Sequence, residues 1–143
     1  MERTLVLVKP DAVIRGLSGE VIARLEKSGL KLTALKMLQS HDVLASKHYE
    51  VHKKRPFFKD LIKSITAAPI VAAIFEGEDA VKRARTVMGA TNPSNAEKGT
   101  IRGDLGVNIE ANSVHGSDAI DTAKFECSLY FAESDVVEYE RTN

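Results

Sequence analysis

Tryptophan is absent from this 143-residue chain, and cysteine occurs once, at position 127. A lone thiol cannot close an internal disulfide, so a disulfide-stapled scaffold is excluded and a reducing, cytoplasmic setting is expected. Cys127 falls on the apolar stripe of a predicted helix, where a buried and inert thiol is the natural reading. An excess of one charge is also missing: Lys and Arg together number 20, as do Asp and Glu. No global field therefore draws the protein to nucleic acid or to an anionic membrane surface. No apolar run approaches the ~20 residues of a membrane span. Met1-Glu2-Arg3 leads straight into a strand, and no signal peptide is expected. The chain has no G-x-x-x-x-G-K-[ST], no H-E-x-x-H and no Cys/His cluster. A Walker-type phosphate loop and a zinc site are thereby removed from consideration, and no protein-held metal is expected.

What remains is 43% hydrophobic and 28% charged, the balance of an ordinary globular protein with enough length for one core. A single domain over residues 1–143 is the expectation. Thr4 to Val8 is a short apolar run stopped by Lys9-Pro10, which reads as a buried central strand. From Ser18, the residues Val21, Ile22 and Leu25 share a helical face that Gly29 closes. Leu30 to Gln39 alternates as a strand with one face buried. Ala45 to Lys53 and Phe58 to Ser64 read as two short helices broken by Pro56. Pro69 to Phe75 reads as another strand and Asp79 to Met88 as another helix. Gly89 to Val114 is rich in Gly, Asn, Pro and Thr with little periodicity, and a loop of that length in a compact domain is usually functional. The order fits an α+β class with a βαββαβ ferredoxin-like sandwich, a four-stranded antiparallel sheet covered by helices. Its fourth strand would lie near Ala123–Val137 or in the segment before it.

Polar residues gather where structure alone does not require them. Lys9 ends a buried strand. Arg55-Pro56-Phe57-Phe58 places two rings after a rigid turn; both cannot point inwards, so one is free to offer a flat face to a ligand ring. Arg85 lies on a helix ending at Gly89, and Thr91 and Arg102 lie in the long loop; guanidinium groups suit phosphate oxygens. Asn112-Ser113-Val114-His115-Gly116-Ser117-Asp118 sets a histidine where a loop runs into a helix from Asp118 to about Phe131. Imidazole can act there as ligand, base or nucleophile. Gly116 would let the backbone approach a ligand, and Ser117 would cap the helix. Each of these alone is commonly a surface residue. Together they suit one task if they converge, with a ring stacked on Phe57, phosphates on the arginines, and His115 as nucleophile.

The chain resembles the nucleoside diphosphate kinases in several ordered blocks. These are Thr4 to Val13, His48-Tyr49 with Arg55-Pro56-Phe57-Phe58, Gly89 to Pro93, Gly99 to Asp104, and Asn112 to Asp118. The resemblance implies a ping-pong exchange in which a nucleoside triphosphate phosphorylates His115 and a nucleoside diphosphate then takes the phosphoryl group, with wide tolerance of base and of ribose or deoxyribose. It implies Lys9 and Asn112 on the sugar hydroxyls. Phe57 would stack on the base, with Leu61 beside it and Ile109 on the other face. Arg85, Thr91 and Arg102 would hold phosphates together with Mg²⁺. Tyr49 would sit near the transferred phosphoryl, Glu126 would fix the second nitrogen of His115, and Ser117 would hold that carboxylate or cap the helix. It further implies a homo-oligomer, hexamer or tetramer. Two other readings stand beside it: a ferredoxin-like nucleic-acid-binding module, and a catalytically silent nucleotide-binding scaffold. The first lacks a basic excess and an RNA-binding signature string. Fold alone would not exclude the second.

Overall fold

Strand β1 (Glu2–Val8) carries Leu5, Val6, Leu7 and Val8 in succession, each at most 2% exposed. A strand apolar on both faces must be covered on both, and this requirement organises the molecule. The computed structural model describes residues 1–142. After β1 come α1 (Pro10–Ile14), α2 (Ser18–Lys27), β2 (Lys31–Leu38), α3 (Asp42–His48), a 3₁₀ turn (Glu50–His52), α4 (Phe58–Thr66), β3 (Ile70–Gly77), α5 (Ala80–Met88), a second 3₁₀ turn (Pro93–Asn95), α6 (Ile101–Leu105), β4 (Val114–Gly116), α7 (Ile120–Tyr130) and a last 3₁₀ turn (Glu133–Asp135). The sheet order is β2-β3-β1-β4, and every neighbouring pair is antiparallel. This is the expected ferredoxin-like α+β sandwich, with the α3–α4 helical hairpin inserted between β2 and β3.

One layer of core joins Val6, Val8, Ala73 and Phe75 to Val21 and Leu25 of α2 and to Ala84 and Met88 of α5. The other joins Leu5, Leu7, Ala72 and Ile74 to Ala45 of α3, Ile65 of α4 and Tyr130 of α7. Burying each Val, Leu, Ile, Phe or Met side chain among them contributes roughly 1.5–3 kcal/mol. Because both faces of β1 and β3 are filled, the central strands leave no surface on which bases could stack, which disfavours the nucleic-acid-binding reading.

Three sequence expectations change. The fourth strand lies in the segment before Ala123, as β4, and it contains His115 itself, paired with Leu7. His115 is therefore mounted on the sheet and not at a loop–helix junction. A three-residue strand has no alternation to read; its pairing to β1 defines it. The stretch from Gly89 to Val114 contains α6, so Arg102 is helical and only 6% exposed. Thr100 nucleates that helix, its hydroxyl accepting from the Gly103 amide. Finally, α7 starts at Ile120 with Ala119 as its N-cap, so Ser117 does not cap it. Pro10 at the first turn of α1 makes the five-residue helix that the sequence pattern missed.

Candidate active site

The carboxylate of Glu126 is the anchor of the site. Helix α7 turns it inward among Ala123 and Tyr130, leaving it 4% exposed. Oε1 accepts from the Ser117 hydroxyl at 2.7 Å and from Nε2 of His115 at 2.9 Å. Ser117 is itself fixed to β1, its amide donating to the Leu5 carbonyl at 3.1 Å. Burial alone would push the Glu126 carboxyl up. The His115 hydrogen bond, the two neighbouring imidazoles and the Ser117 hydroxyl outweigh it and hold the group below the usual carboxylate range. A carboxylate only accepts, so Nε2 of His115 carries the proton and Nδ1 keeps its lone pair.

His48, which the sequence reading gave no role, completes this network. Its Nε2 lies 3.2 Å from Nε2 of His115 and 3.6 Å from Glu126 Oε2, while Nδ1 lies 3.0 Å from the Tyr130 hydroxyl. Burial, reinforced by His115, lowers its pKa to about 3, so it is neutral. A neutral acceptor there favours the proton on Nε2 of His115. The signal in the sequence was its place in the His48-Tyr49 block, which carried the resemblance without assigning His48 a role. The Tyr49 ring stands edge-on to that of His115 with centroids 6.5 Å apart. Burial pushes its phenol pKa up, so it stays a neutral donor.

A second cluster links β1 to the segment before β4. Lys9, 8% exposed, donates from Nζ to Asn112 Oδ1 at 2.9 Å and to the Glu110 carbonyl at 3.1 Å. The Asn112 amide in turn donates to the Thr91 carbonyl at 3.0 Å. Arg102 donates from Nη1 to the Gly89 carbonyl and from Nη2 to the Val114 carbonyl, at 3.0 and 2.8 Å, while its Nε is buried without a partner. It thus props up the strand that carries His115. Burial, and then the Arg85 guanidinium, lower the Arg102 pKa to about 10. Burial also lowers Lys9, with Arg102 adding to the fall and Asp11 opposing it. Two buried cations whose charge is disfavoured by burial and by a cationic neighbour, one with an orphaned guanidinium N–H, form a site that an anion would relieve. Arg85 pairs with Asp118 at 2.7 Å, and both border a groove of about 930 Å³ together with Thr91 and Gly89.

The apolar candidates stand apart from these networks. Phe57 is 44% exposed while Phe58 packs into the core beside Leu61, so of the two adjacent rings one is free, as expected. The free ring lies 5.4 Å from that of His52. Ile109 is 57% exposed. Gly116 serves a different purpose from the one read in the sequence. A Cβ there would meet Met88 Cε at 2.1 Å, so the glycine admits a core methionine and not a ligand. Cys127 is only partly buried, and burial pushes its thiol up to about 11, which keeps it unreactive.

Among the described residues, the one His/Cys/Asp/Glu group tight enough to hold a cation is His48, His115 and Glu126. Two imidazoles do not suit Mg²⁺, which takes oxygen ligands. No helix of the described residues is long and apolar enough to cross a membrane.

An imidazole with one anchored nitrogen, on a ferredoxin-like sheet that also carries buried cations, is equipped to transfer an anionic group. Residues 2–136 match the family model for nucleoside diphosphate kinase. The chain is 63% identical over 141 residues to a nucleoside diphosphate kinase of Dehalococcoides mccartyi, covering 99% of each, and 52% identical over 142 residues to one of Synechococcus elongatus, covering 99% and 95%. Its structure is similar to that of a halophilic nucleoside diphosphate kinase from Halobacterium salinarum in complex with CDP, with a TM-score of 0.95, 43% identity and coverage of 99% and 94%. It is also similar to the Aquifex aeolicus nucleoside diphosphate kinase, with a TM-score of 0.93, 38% identity and coverage of 95% and 99%. The chain belongs to the nucleoside diphosphate kinase family. It is an enzyme that moves the terminal phosphoryl group of a nucleoside triphosphate to a nucleoside diphosphate, and the silent-scaffold reading falls away.

Proposed function

We propose that Nδ1 of His115 is the nucleophile of a ping-pong exchange. The observation that carries this reading is the pair of contacts on the other nitrogen, 2.9 Å to Glu126 and 3.2 Å to His48. With Nε2–H held, the Nδ1 lone pair attacks the γ-phosphorus, the bond to the β,γ-bridging oxygen breaks, and the nucleoside diphosphate leaves with those electrons. The ring gains positive charge as the P–N bond forms, and the buried Glu126 carboxylate stabilises it. A second diphosphate then attacks through a terminal β-oxygen, the P–N bond breaks, and neutral His115 returns. Tyr49 donates toward the transferred group. No separate base is required, so positioning and charge neutralisation dominate the rate.

Lys9 and Asn112, already joined, would meet the sugar hydroxyls, and Arg85, Thr91 and Arg102 the phosphates. Mg²⁺ would be brought by the nucleotide's phosphate oxygens and would supply charge neutralisation there, since the nearby His48, His115 and Glu126 group is nitrogen-rich and does not suit it. Phe57, with Leu61 and Ile109, offers a stacking surface indifferent to base identity, which supports broad acceptance of bases. We take residues 1–143 as one working domain, with the cytoplasm as its setting because the lone thiol suits a reducing compartment. A homo-oligomer, hexamer or tetramer, is supported by the edge strand β2. Leu35 and Met37 are 51% and 62% exposed there, beyond the stretch whose Thr33 carbonyl accepts from the Val137 amide, and such an apolar edge is suited to pairing with a second copy.

The test is incubation with γ-labelled ATP. An acid-labile, base-stable phosphoprotein is expected, with its label passing to GDP, CDP or a deoxynucleoside diphosphate. His115→Ala should take up no label; persistent labelling would place the nucleophile elsewhere.

A further inference from the structure

Two non-glycine residues among those described have positive φ: Asp79, on an exposed turn, and Ser113, at φ 75°, two residues before His115. Ser113 is fully buried, and its hydroxyl has no hydrogen-bond partner. The Val114 amide donates to the Asn112 carbonyl at 2.9 Å across it. A hydrogen bond from i+2 to i around a central residue near +75° is a γ-turn of the rare, strained kind. An L-serine gains nothing from being there: its Cβ is crowded and its hydroxyl is orphaned. Such a conformation persists only when its surroundings over-determine it.

Two bonds do so. The Ser113 carbonyl accepts from the Lys9 amide at 2.9 Å, and the Ser113 amide donates to Asp11 Oδ2 at 3.1 Å. The first extends the β1–β4 pairing. The second comes from a side chain in the first turn of α1 that touches neither the His115 network nor the contacts made by Arg102. The turn it holds separates Asn112, bonded to Lys9, from His115, bonded to Glu126. An extended residue at 113 would rotate Asn112 relative to the strand that carries His115.

We propose that Asp11 is a positioning residue for phosphoryl transfer: its carboxylate clamps the strained Ser113 turn and so sets the sugar-binding side chain and the nucleophile in one register. This rests on the reading of His115 as nucleophile, which the labelling of His115→Ala tests separately. Asp11 also lies within electrostatic reach of Lys9 and near a helix N-terminus, so the experiment must separate the clamp from its charge.

Four variants do this: Asp11→Ala, Asp11→Asn, Ser113→Gly and Asp11→Ala/Ser113→Gly. Nucleotide KM, the single-turnover rate of His115 phosphorylation and thermal stability are measured for each. Asp11→Ala should raise KM and lower the phosphorylation rate, reducing kcat/KM at least tenfold. Asp11→Asn keeps an acceptor oxygen for the Ser113 amide and should stay within about threefold of the parent. Glycine adopts positive φ without steric cost and removes the orphaned hydroxyl. Ser113→Gly should therefore raise the activity of Asp11→Ala at least fivefold more than it changes the parent. The proposal is overturned if Asp11→Asn is as impaired as Asp11→Ala, since the charge would then be what matters. It is equally overturned if Ser113→Gly has the same effect in both backgrounds. Should Asp11→Ala fail to fold, the double variant must recover both folding and transfer, and its failure to do so also overturns the proposal.

Discussion

Replacing Glu126 by Gln isolates the charge behind the nucleophile. The side chain keeps its length, its place on α7 and an oxygen able to accept from Nε2 of His115, so tautomer and ring orientation survive. What disappears is the negative charge that faces the ring as Nδ1 bonds to phosphorus. Glu126 is 4% exposed and accepts at 2.9 Å from His115 and 2.7 Å from Ser117, so solvent screens little of the effect. Hydrogen bonds to charged groups contribute about 1.5–3 kcal/mol, against about 1 for neutral pairs. If the difference is felt mainly as the ring becomes cationic, the transition state loses about 0.5–2 kcal/mol, a fall in phosphorylation rate of roughly 2- to 30-fold. Rapid acid-free quenching after mixing with labelled ATP measures that rate directly, with nucleotide affinity determined in parallel. A rate within twofold of the parent would refute the reasoning, and so would a loss that resides only in affinity.

Three further outcomes are expected. Phe57→Ala should weaken purine and pyrimidine diphosphates alike, by about 1–3 kcal/mol in competition binding, since stacking ignores base edges; a loss confined to one base would mean edge recognition. Arg102→Ala should lower stability by about 2–4 kcal/mol in urea unfolding as well as abolishing transfer, because the carbonyls of Gly89 and Val114 lose their donors. Unchanged stability would mean that these two carbonyl contacts do not hold the strand. Acid should destabilise the protein early. The His48 pKa is about 3 when folded against an ordinary 6.5, so the unfolded chain binds a proton the native one refuses. Stability conferred by this group is fully present above about pH 6.5 and falls by up to about 1.4 kcal/mol per pH unit below it. The lowered Glu126 carboxyl adds a loss in the same direction at lower pH. A His48→Gln variant should flatten the upper part of the curve of melting temperature against pH, and a curve parallel to the parent's would argue against a buried neutral imidazole.

The sequence by itself determined β1, α2, β2, α4, β3, α5 and α7, because each has a local period or a breaker that the chain carries within a dozen residues; the helix read over Ala45 to Lys53 is shifted to Asp42–His48, with a 3₁₀ turn after it. It also determined which residue types were available for phosphate, sugar and base, and the ordered motifs that mark the family. The tertiary structure decided what depends on distant pairing. Three residues became a strand because Leu7 lies opposite His115. Gly116 is small because Met88, on another helix, fills the space beside it. Ser117 reaches Glu126 instead of capping α7 because β1 fixes its backbone. His48 and His115, 67 residues apart, share a proton's neighbourhood only because α3 packs on the same sheet face as α7. Local spacing records a side chain's chemistry and its own helix or strand. Which nitrogen of a histidine is held, and which arginine is a prop for the backbone, are set by groups that approach through folding.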